Sequence, residues 1–144
     1  MPKATAICNS ICNLMYRATA WANVADNAAS SPLTNVYVSL HTANLTAATG
    51  TQTDQETAYT NYARQAVARS TGWSAASGGS TNNAALLQFP QCGVTGATIT
   101  HVATGTSVSG AGASWHFGAL NSSIAVSSGI TPQFAANALV ITES

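Results

Sequence analysis

The most unusual feature of the sequence is its scarcity of charged residues. Only four Lys or Arg and four Asp or Glu occur among 144 residues, and the formal net charge is zero. Binding to nucleic acid or to an anionic membrane depends on clustered Lys and Arg, so this composition argues against both kinds of partner. Ser, Thr, Asn and Gln supply the polar groups instead. They give a neutral, hydrogen-bonding surface with little repulsion between copies, which favours an ordered assembly.

Cysteine and long apolar runs are also scarce. Three cysteines are too few for a disulfide framework, and a reducing compartment fits this number. No stretch approaches the ~18 apolar residues of a membrane span. The N-terminal segment lacks the compact apolar core and small-residue cleavage site of a secretory signal. We therefore expect no membrane partner and no secretory leader, and the chain length predicts one domain.

Residues 5–28 have the periodicity of a helix. Apolar residues recur at spacings of three and four, on one helix face: Ile7, Ile11, Leu14, Met15, Ala18 and Ala22. Ser31 precedes Pro32, which disfavours helical geometry and ends the segment. Such a helix would be roughly 30 Å long, more than one small sheet covers. We predict an N-terminal helical arm over residues 1–31, with part of the stripe and Trp21 packed on a neighbouring subunit or on the surface of a larger assembly.

After Pro32 the hydrophobic period changes from 3.6 to 2. The stretch "NVYVSLHT" (35–42) alternates apolar and polar residues, as a half-buried strand does. Turns rich in Gly, Pro, Ser and Asn separate six further predicted strands, at 63–69, 84–89, 97–104, 113–120, 122–126 and 137–142. The polar stretch 44–61 is predicted to be a long surface loop. Together these features predict a mainly β fold, an antiparallel β-sandwich or jelly-roll-like domain over residues 32–144 with an N-terminal α-helix.

The strand alternation also predicts the core. Its members are the large apolar residues on the inward-facing positions: Val36, Val38, Leu40, Val67, Leu87, Phe89, Trp115, Phe117, Leu139 and Ile141.

Histidines and cysteines are the candidate metal ligands. His41, His101 and His116 lie on three predicted strands and could converge, although isolated strand histidines are more often hydrogen-bonded within the sheet. Cys8 and Cys12 share a helix face, but no second ligand pair follows at the spacing of a structural zinc site. We predict no metal and no cofactor.

Catalytic patterns are absent from the sequence. No "GxSxG" elbow and no glycine-rich phosphate loop ending in Lys-Ser/Thr occur. Asp54 and Glu56 lie in a Thr- and Gln-rich stretch that offers little desolvation, so neither is placed to act as a general acid. We predict that they are solvated or paired with an arginine, and that the protein is not an enzyme.

Two of the four basic residues, Arg64 and Arg69, fall within "NYARQAVARS". In strand geometry they point to opposite faces and cannot form a joint phosphate clamp. We predict that Arg64 makes a structural contact to Asp54, Glu56 or loop carbonyls, since its planar fork suits bidentate bonding. The second arginine is available to anchor a loop backbone or a neighbouring subunit.

Six motifs in a fixed order carry a resemblance to a known family. They are "VYVSLHTA", "YARQAV", "NNAALLQFP", "ATITHVA", "WHFGAL" and "SGITPQFAANALVIT". Over residues 36–142 this succession resembles a widespread family of small tailed-bacteriophage virion proteins, often labelled tail-fibre-like. Tyr62, Ala63, Arg64, Gln65 and Ala66 match the second motif position by position. The segments "HVATGTS" and "GITPQF" depart from the family pattern, so no charge network is carried over.

The resemblance implies a compact β-rich protein without enzymatic activity that helps to build the virion. Because the sequence has no internal repeat and no coiled-coil heptads, a slender fibre is not expected. We predict a capsid decoration or cement protein that binds the assembled shell and stabilises it. The alternative is a tail, tail-tip or fibre component involved in host adsorption; an enzyme acting on the host envelope is a third, disfavoured class. The expected partners are the major capsid protein or tail proteins, together with further copies of the chain in a dimer or trimer. We expect part of the helical stripe and Trp21 to pack on such a further copy or on the capsid shell.

Overall fold

The structure, a computed structural model, describes residues 3–22, 24–25, 32–46 and 50–144. Within these ranges it contains one helix and eight strands: α1 Thr5–Arg17, β1 Asn35–His41, β2 Gln65–Ala68, β3 Ser80–Asn82, β4 Leu87–Gln88, β5 Ala97–Gly105, β6 Ser114–Val126, β7 Gln133–Phe134 and β8 Val140–Thr142. The predicted class, mainly β with antiparallel sheets and an N-terminal helix, is confirmed.

The largest sheet has four strands in the order β2-β1-β5-β6, and β3 pairs with β8 and β4 with β7 in two smaller sheets. Strands β1 and β5 are antiparallel, with Tyr37 opposite Gly105 and His41 opposite His101. Strand β1 therefore lies between two neighbours. Ser39 and His41, expected on an exposed face, are fully buried, and His41 bonds to the Asp54 carbonyl of the polar segment that follows β1.

Strand β6 covers the two strands predicted at 113–120 and 122–126. Its pairing with β5 is irregular at this break: Ile124 is opposite Ile99 and Ala119 is opposite His101, so four residues of β6 correspond to one of β5. Such an insertion is a large β-bulge. Strands β3 and β7 were not predicted. Strand β3 lies within the turn-like stretch "SGGSTNN" and forms only by pairing with β8.

The helix is much shorter than predicted. It ends at Arg17, because Ala18 adopts the left-handed conformation (φ 53°) and donates its N–H to the Asn13 carbonyl. Trp21 and Ala25 then form an isolated antiparallel bridge, so the prediction of helix to residue 28 is wrong over 18–22 and 24–25. Residues 23 and 26–31 of the predicted arm lie outside the described residues.

The helix also buries a different face from the predicted one. Cys8, Cys12 and Tyr16, spaced four apart, are buried. Asn9 and Asn13 border this face, and their side-chain oxygens accept hydrogen bonds from the backbone N–H groups of residues 79 and 76. The periodicity of the apolar residues alone favoured the adjacent stripe. The hydrogen bonds that Asn9 and Asn13 accept from distant backbone N–H groups select the face that is buried.

The predicted core is largely correct. Trp115 and Phe117 are the exceptions among its ten members, because they lie on the edge strand β6 and are half-buried. The large buried side chains that were missed include Tyr16, Tyr59, Trp73 and Ile99. Tyr16 packs against Trp73 edge to face, with ring centroids 4.8 Å apart.

The chain forms two compact units. The first consists of Met1–Asn35, Val67–Leu87 and Phe134–Ser144, and the second of Val36–Ala66 and Gln88–Gln133. The first contains α1, β3 and β8, and the second contains β5 and β6. The division into an arm over 1–31 and a β domain over 32–144 stays a prediction.

Candidate functional site

The centre of the candidate site is a buried ion pair between Arg64 and Glu56. Arg64 Nε lies 2.6 Å from Glu56 Oε1, and Arg64 Nη2 lies 2.7 Å from Oε2, so the pair is bidentate. The same guanidinium donates to the carbonyls of Ser107 (2.9 Å) and Gly110 (2.8 Å). The hydrogen bonds to Glu56 raise the pKa of Arg64, which keeps it charged despite burial. Arg64 thereby ties the polar segment around Glu56 to the loop formed by residues 106–113.

Tyr62 completes the ion pair. Its hydroxyl donates to Glu56 Oε1 (2.8 Å) and accepts a bond from the Leu40 N–H (3.1 Å). Burial raises the pKa of Tyr62 well above its usual value, so the hydroxyl remains a donor. Its ring stacks on Phe89 and meets Tyr59 edge to face. The tyrosine therefore joins the polar contacts to the apolar core of the second unit.

Gln52 holds the other side of loop 106–113. Its fully buried side chain donates to the Tyr37 carbonyl (3.2 Å) and accepts from the Ser107 N–H (2.9 Å). Its backbone N–H donates to the Gly112 carbonyl (2.8 Å). A Cβ at Gly105 would lie 2.3 Å from Gln52 Cδ, so glycine is required there. We call Gln52, Glu56, Tyr62 and Arg64 the polar network.

A buried serine and histidine adjoin the polar network. His41 Nδ1 donates to the backbone carbonyl of Asp54 (2.8 Å), which can only accept, so Nε2 accepts from the Ser39 hydroxyl (2.8 Å). Burial lowers the pKa of His41 and favours this neutral form. Ser39 and His41 are 0% exposed, and a backbone carbonyl occupies the place of an orienting carboxylate. The pair therefore cannot present a nucleophile to a substrate.

The remaining residues predicted near this site have local roles. The Asp54 carboxylate accepts from the Thr46 N–H (2.6 Å) and not from Arg64. The Gln65 side chain donates to the carbonyls of Ala63 and Arg64. Neither residue adds a second charged group to the polar network.

The residues predicted on the helical arm are not part of this site. Ile7 is 37% exposed, while Ile11, Leu14, Met15 and Trp21 are half-buried. They form an apolar flank beside the buried face of α1. Their packing on another subunit or on the capsid stays a prediction.

Arg69 was predicted to anchor a loop backbone or a neighbouring subunit, and the structure places it at the end of α1. Its Nε and Nη2 donate to the carbonyls of Met15 (2.6 Å) and Leu14 (2.5 Å), and Nη1 donates to Leu33 O (2.7 Å). Leu14 and Met15 are among the last four residues of the helix, whose carbonyls have no intrahelical partner. The positive charge also complements the negative end of the helix dipole.

The three histidines are distributed along the sheet. His41 and His101 are opposite each other on β1 and β5, and His116 is opposite Thr104. Cys12 Sγ contacts the carbonyl of residue 79. Across the described ranges, no group of three or more His, Cys, Asp or Glu side chains is arranged to hold a metal ion. Nor is any described helix long and apolar enough to cross a membrane.

Sequence reasoning missed the roles of Gln52 and Asn83, and it did not predict that Arg69 binds the end of α1. All three are buried polar residues that bond to backbone groups far away in the chain. Their sequence surroundings, "GTQTD", "VARST" and "TNNAA", resemble ordinary loop chemistry and give no signal of burial.

The fold and the polar network define a class: a small, β-rich structural protein that uses its charged side chains to fix its own loops and helix end. The particular family follows from comparison with known proteins. The family model described as "Podophage GP4 fiber I protein gp80" matches residues 5–142, and the chain belongs to this family. It is therefore a phage fibre-like structural protein, which fits a virion location and confirms the resemblance noted from the sequence. No curated protein matches the chain.

Proposed function

We propose that this protein is a structural subunit of a podophage fibre. The observation that carries the proposal is the family match over residues 5–142, because the family is described as a fibre protein. Its work is then to bind neighbouring virion proteins and to transmit load, not to carry out chemistry. We propose no catalytic role, since the buried Ser39–His41 pair is inaccessible to a substrate.

The pairing of charged side chains within the chain supports this proposal. Arg64 and Glu56 fix loop 106–113, which exposes Val108 and small uncharged residues. Holding such a loop in advance of binding lowers the entropic cost of docking. A rigid, neutral surface is what a subunit needs when its partners are other ordered proteins of a particle. On the same grounds we expect no binding to nucleic acid.

Capsid decoration is the second candidate. It is favoured by the absence of a repeat or heptad pattern from the sequence, because slender fibre shafts are built from such patterns. A decoration protein would bind the assembled shell and stabilise it by mass action. Its partner would be the major capsid protein, whereas a fibre subunit would contact tail proteins.

Location and copy number in purified particles distinguish the two candidates. Immunogold labelling with an antibody against the purified protein should mark the tail or fibre, and quantitative mass spectrometry should give a small fraction of the major capsid protein's copy number. Labelling over the whole head, with a copy number close to that of the major capsid protein, would contradict the fibre proposal and support decoration. Loss of particle heat resistance when the protein is removed would support decoration as well.

A further inference from the structure

A buried asparagine in the first unit holds two surface segments side by side. Asn83 is 1% exposed, and its Nδ2 donates to the carbonyls of Ala85 and Ala135, each at 2.8 Å. Its Oδ1 accepts from the Leu139 N–H (2.8 Å), and its backbone carbonyl accepts from the Asn137 N–H (2.8 Å). The side chain is fully satisfied, so it fixes the segments around residues 84–86 and 135–138 rigidly.

These two segments form an exposed apolar surface. Residues 84–86, 135–138 and 140 are all exposed, and all except Asn137 are Ala, Leu or Val. Leu86 is 56% and Val140 is 55% exposed. We call this surface the alanine patch. A rigid apolar surface of this kind on a soluble protein commonly marks an interaction site.

The charged residues that the structure describes indicate what can cover the patch. Seven of the eight charged residues lie in the described ranges, and each is bonded within the chain. Lys3 pairs with Glu143, and Arg64 pairs with Glu56. The others contact backbone atoms: Arg17 the Trp73 carbonyl, Arg69 the α1 carbonyls and Asp54 the Thr46 N–H. A charged partner surface docked here would lose hydration without gaining an opposite charge.

We propose that the alanine patch is a self-association surface and that its occupant is a second copy of this chain. Another copy brings an equally uncharged surface, so neither side buries an unpaired charge. Small alanine side chains allow close backbone approach, while Leu86 and Val140 supply the larger apolar groups. Contact between identical patches across a two-fold axis is isologous and closes on itself. The inference holds whether the protein serves in a fibre or on the capsid.

Sedimentation equilibrium of the purified full chain tests this proposal. The wild type should form oligomers. Leu86→Asp and Val140→Asp should each raise the dissociation constant at least about tenfold, because each places a carboxylate in an apolar contact. Val94→Asp is the matched control: Val94 is 88% exposed and lies in the second unit, so its substitution should leave association unchanged.

Hydrogen exchange on the wild type gives an independent measurement that needs no variant. The amides of residues 84–86 and 136 should exchange more slowly at high than at low protein concentration, while the amide of Val94 should not change. A wild type that is monomeric at every concentration would overturn the proposal, including the case in which the patch serves a different protein. Dissociation by Val94→Asp but not by the two patch variants would overturn it too.

Discussion

At residue 64, the two oxygens of Glu56 and two backbone carbonyls converge on one guanidinium. A lysine would keep the charge but could not reach these acceptors in the same planar arrangement. We expect Arg64→Lys to lower the free energy of unfolding by about 1.5–3 kcal/mol, the usual contribution of a hydrogen bond to a charged group. Urea denaturation of wild type and variant measures the difference.

Asp54 provides the matched control for this prediction. Its carboxylate lies two residues from Glu56 in the chain but binds only a backbone N–H in a more exposed setting. Asp54→Asn should therefore be less destabilising than Glu56→Gln, which leaves Arg64 short of its counter-charge. Equal stability of Arg64→Lys and wild type would show that the planar, bidentate geometry of Arg64 does not stabilise the fold.

His41 gives the stability a pH dependence. Burial lowers its pKa in the folded protein below the ordinary value, so near neutral pH its neutral form contributes fully to stability. As the pH falls below about 6.5, His41 binds a proton in the unfolded chain but stays neutral in the folded chain. The contribution is therefore lost progressively until the pH passes the lowered pKa of the folded state. We expect weaker resistance to urea at pH 5 than at pH 7.5.

Substitution of His41 tests whether this residue is the source of the pH dependence. His41→Gln should be less stable at neutral pH, because both buried hydrogen bonds change, but its stability should depend less on pH over this range. If His41→Gln retained the whole pH dependence, another group would be responsible.

At the scale of elements, α1 depends on a residue far away in the sequence. Arg69 binds two carbonyls of its last turn and the Leu33 carbonyl. We expect Arg69→Met, which keeps the apolar stem, to destabilise the protein by at least about 2 kcal/mol, because three partly buried carbonyls lose a charged donor. Hydrogen exchange should show faster exchange at the Tyr16 and Arg17 amides.

Arg17→Met is the appropriate comparison. Arg17 also lies in the last turn of α1, and its guanidinium donates to the Trp73 carbonyl at 2.9 Å. This single bond lies outside the helix backbone, so its loss should have a smaller effect on exchange in the last turn. Equal effects of the two substitutions would mean that helix charge, and not carbonyl binding by Arg69, is what stabilises the end of α1.

At the scale of the whole molecule, the internal pairing of charge predicts tolerance of salt. Raising NaCl from about 0.1 M to about 1 M shortens the Debye length from ~10 Å to ~3 Å and screens exposed charge pairs. The buried Arg64–Glu56 pair is screened little, and the pair formed by Lys3 and Glu143 is a surface contact of small energetic value. We expect the self-association constant to change less than about threefold over this range, a limit well below the salt response of charge-driven binding.

The same sedimentation experiment at the two salt concentrations checks this prediction. A steep loss of association at high salt would show that charges contribute to the interface. A moderate strengthening would agree with apolar contact, because apolar burial is favoured by excluded salts.

Local pattern was sufficient for most of the strands, though not for β3 and β7, and for much of the core. The alternation Val36, Val38, Leu40 predicted β1 because a pleated strand turns every second side chain to the same face. Gly- and Pro-containing turns separated the strands for the same local reason. The succession of motifs also indicated a phage structural protein, and the scarcity of charge favoured an ordered assembly.

The tertiary structure alone decided which of these polar side chains are buried and which backbone groups they contact: Gln52, Arg69 and Asn83. Nothing near Gln52, Arg69 or Asn83 in the chain indicates burial, since each bonds to backbone groups that only folding brings near. The end of α1 was decided in the same way: the apolar period continues past Arg17, but a left-handed Ala18 and the carbonyl contacts of Arg69 end the helix. Periodicity is a property of neighbours in sequence, whereas satisfying a buried donor or acceptor depends on neighbours in space.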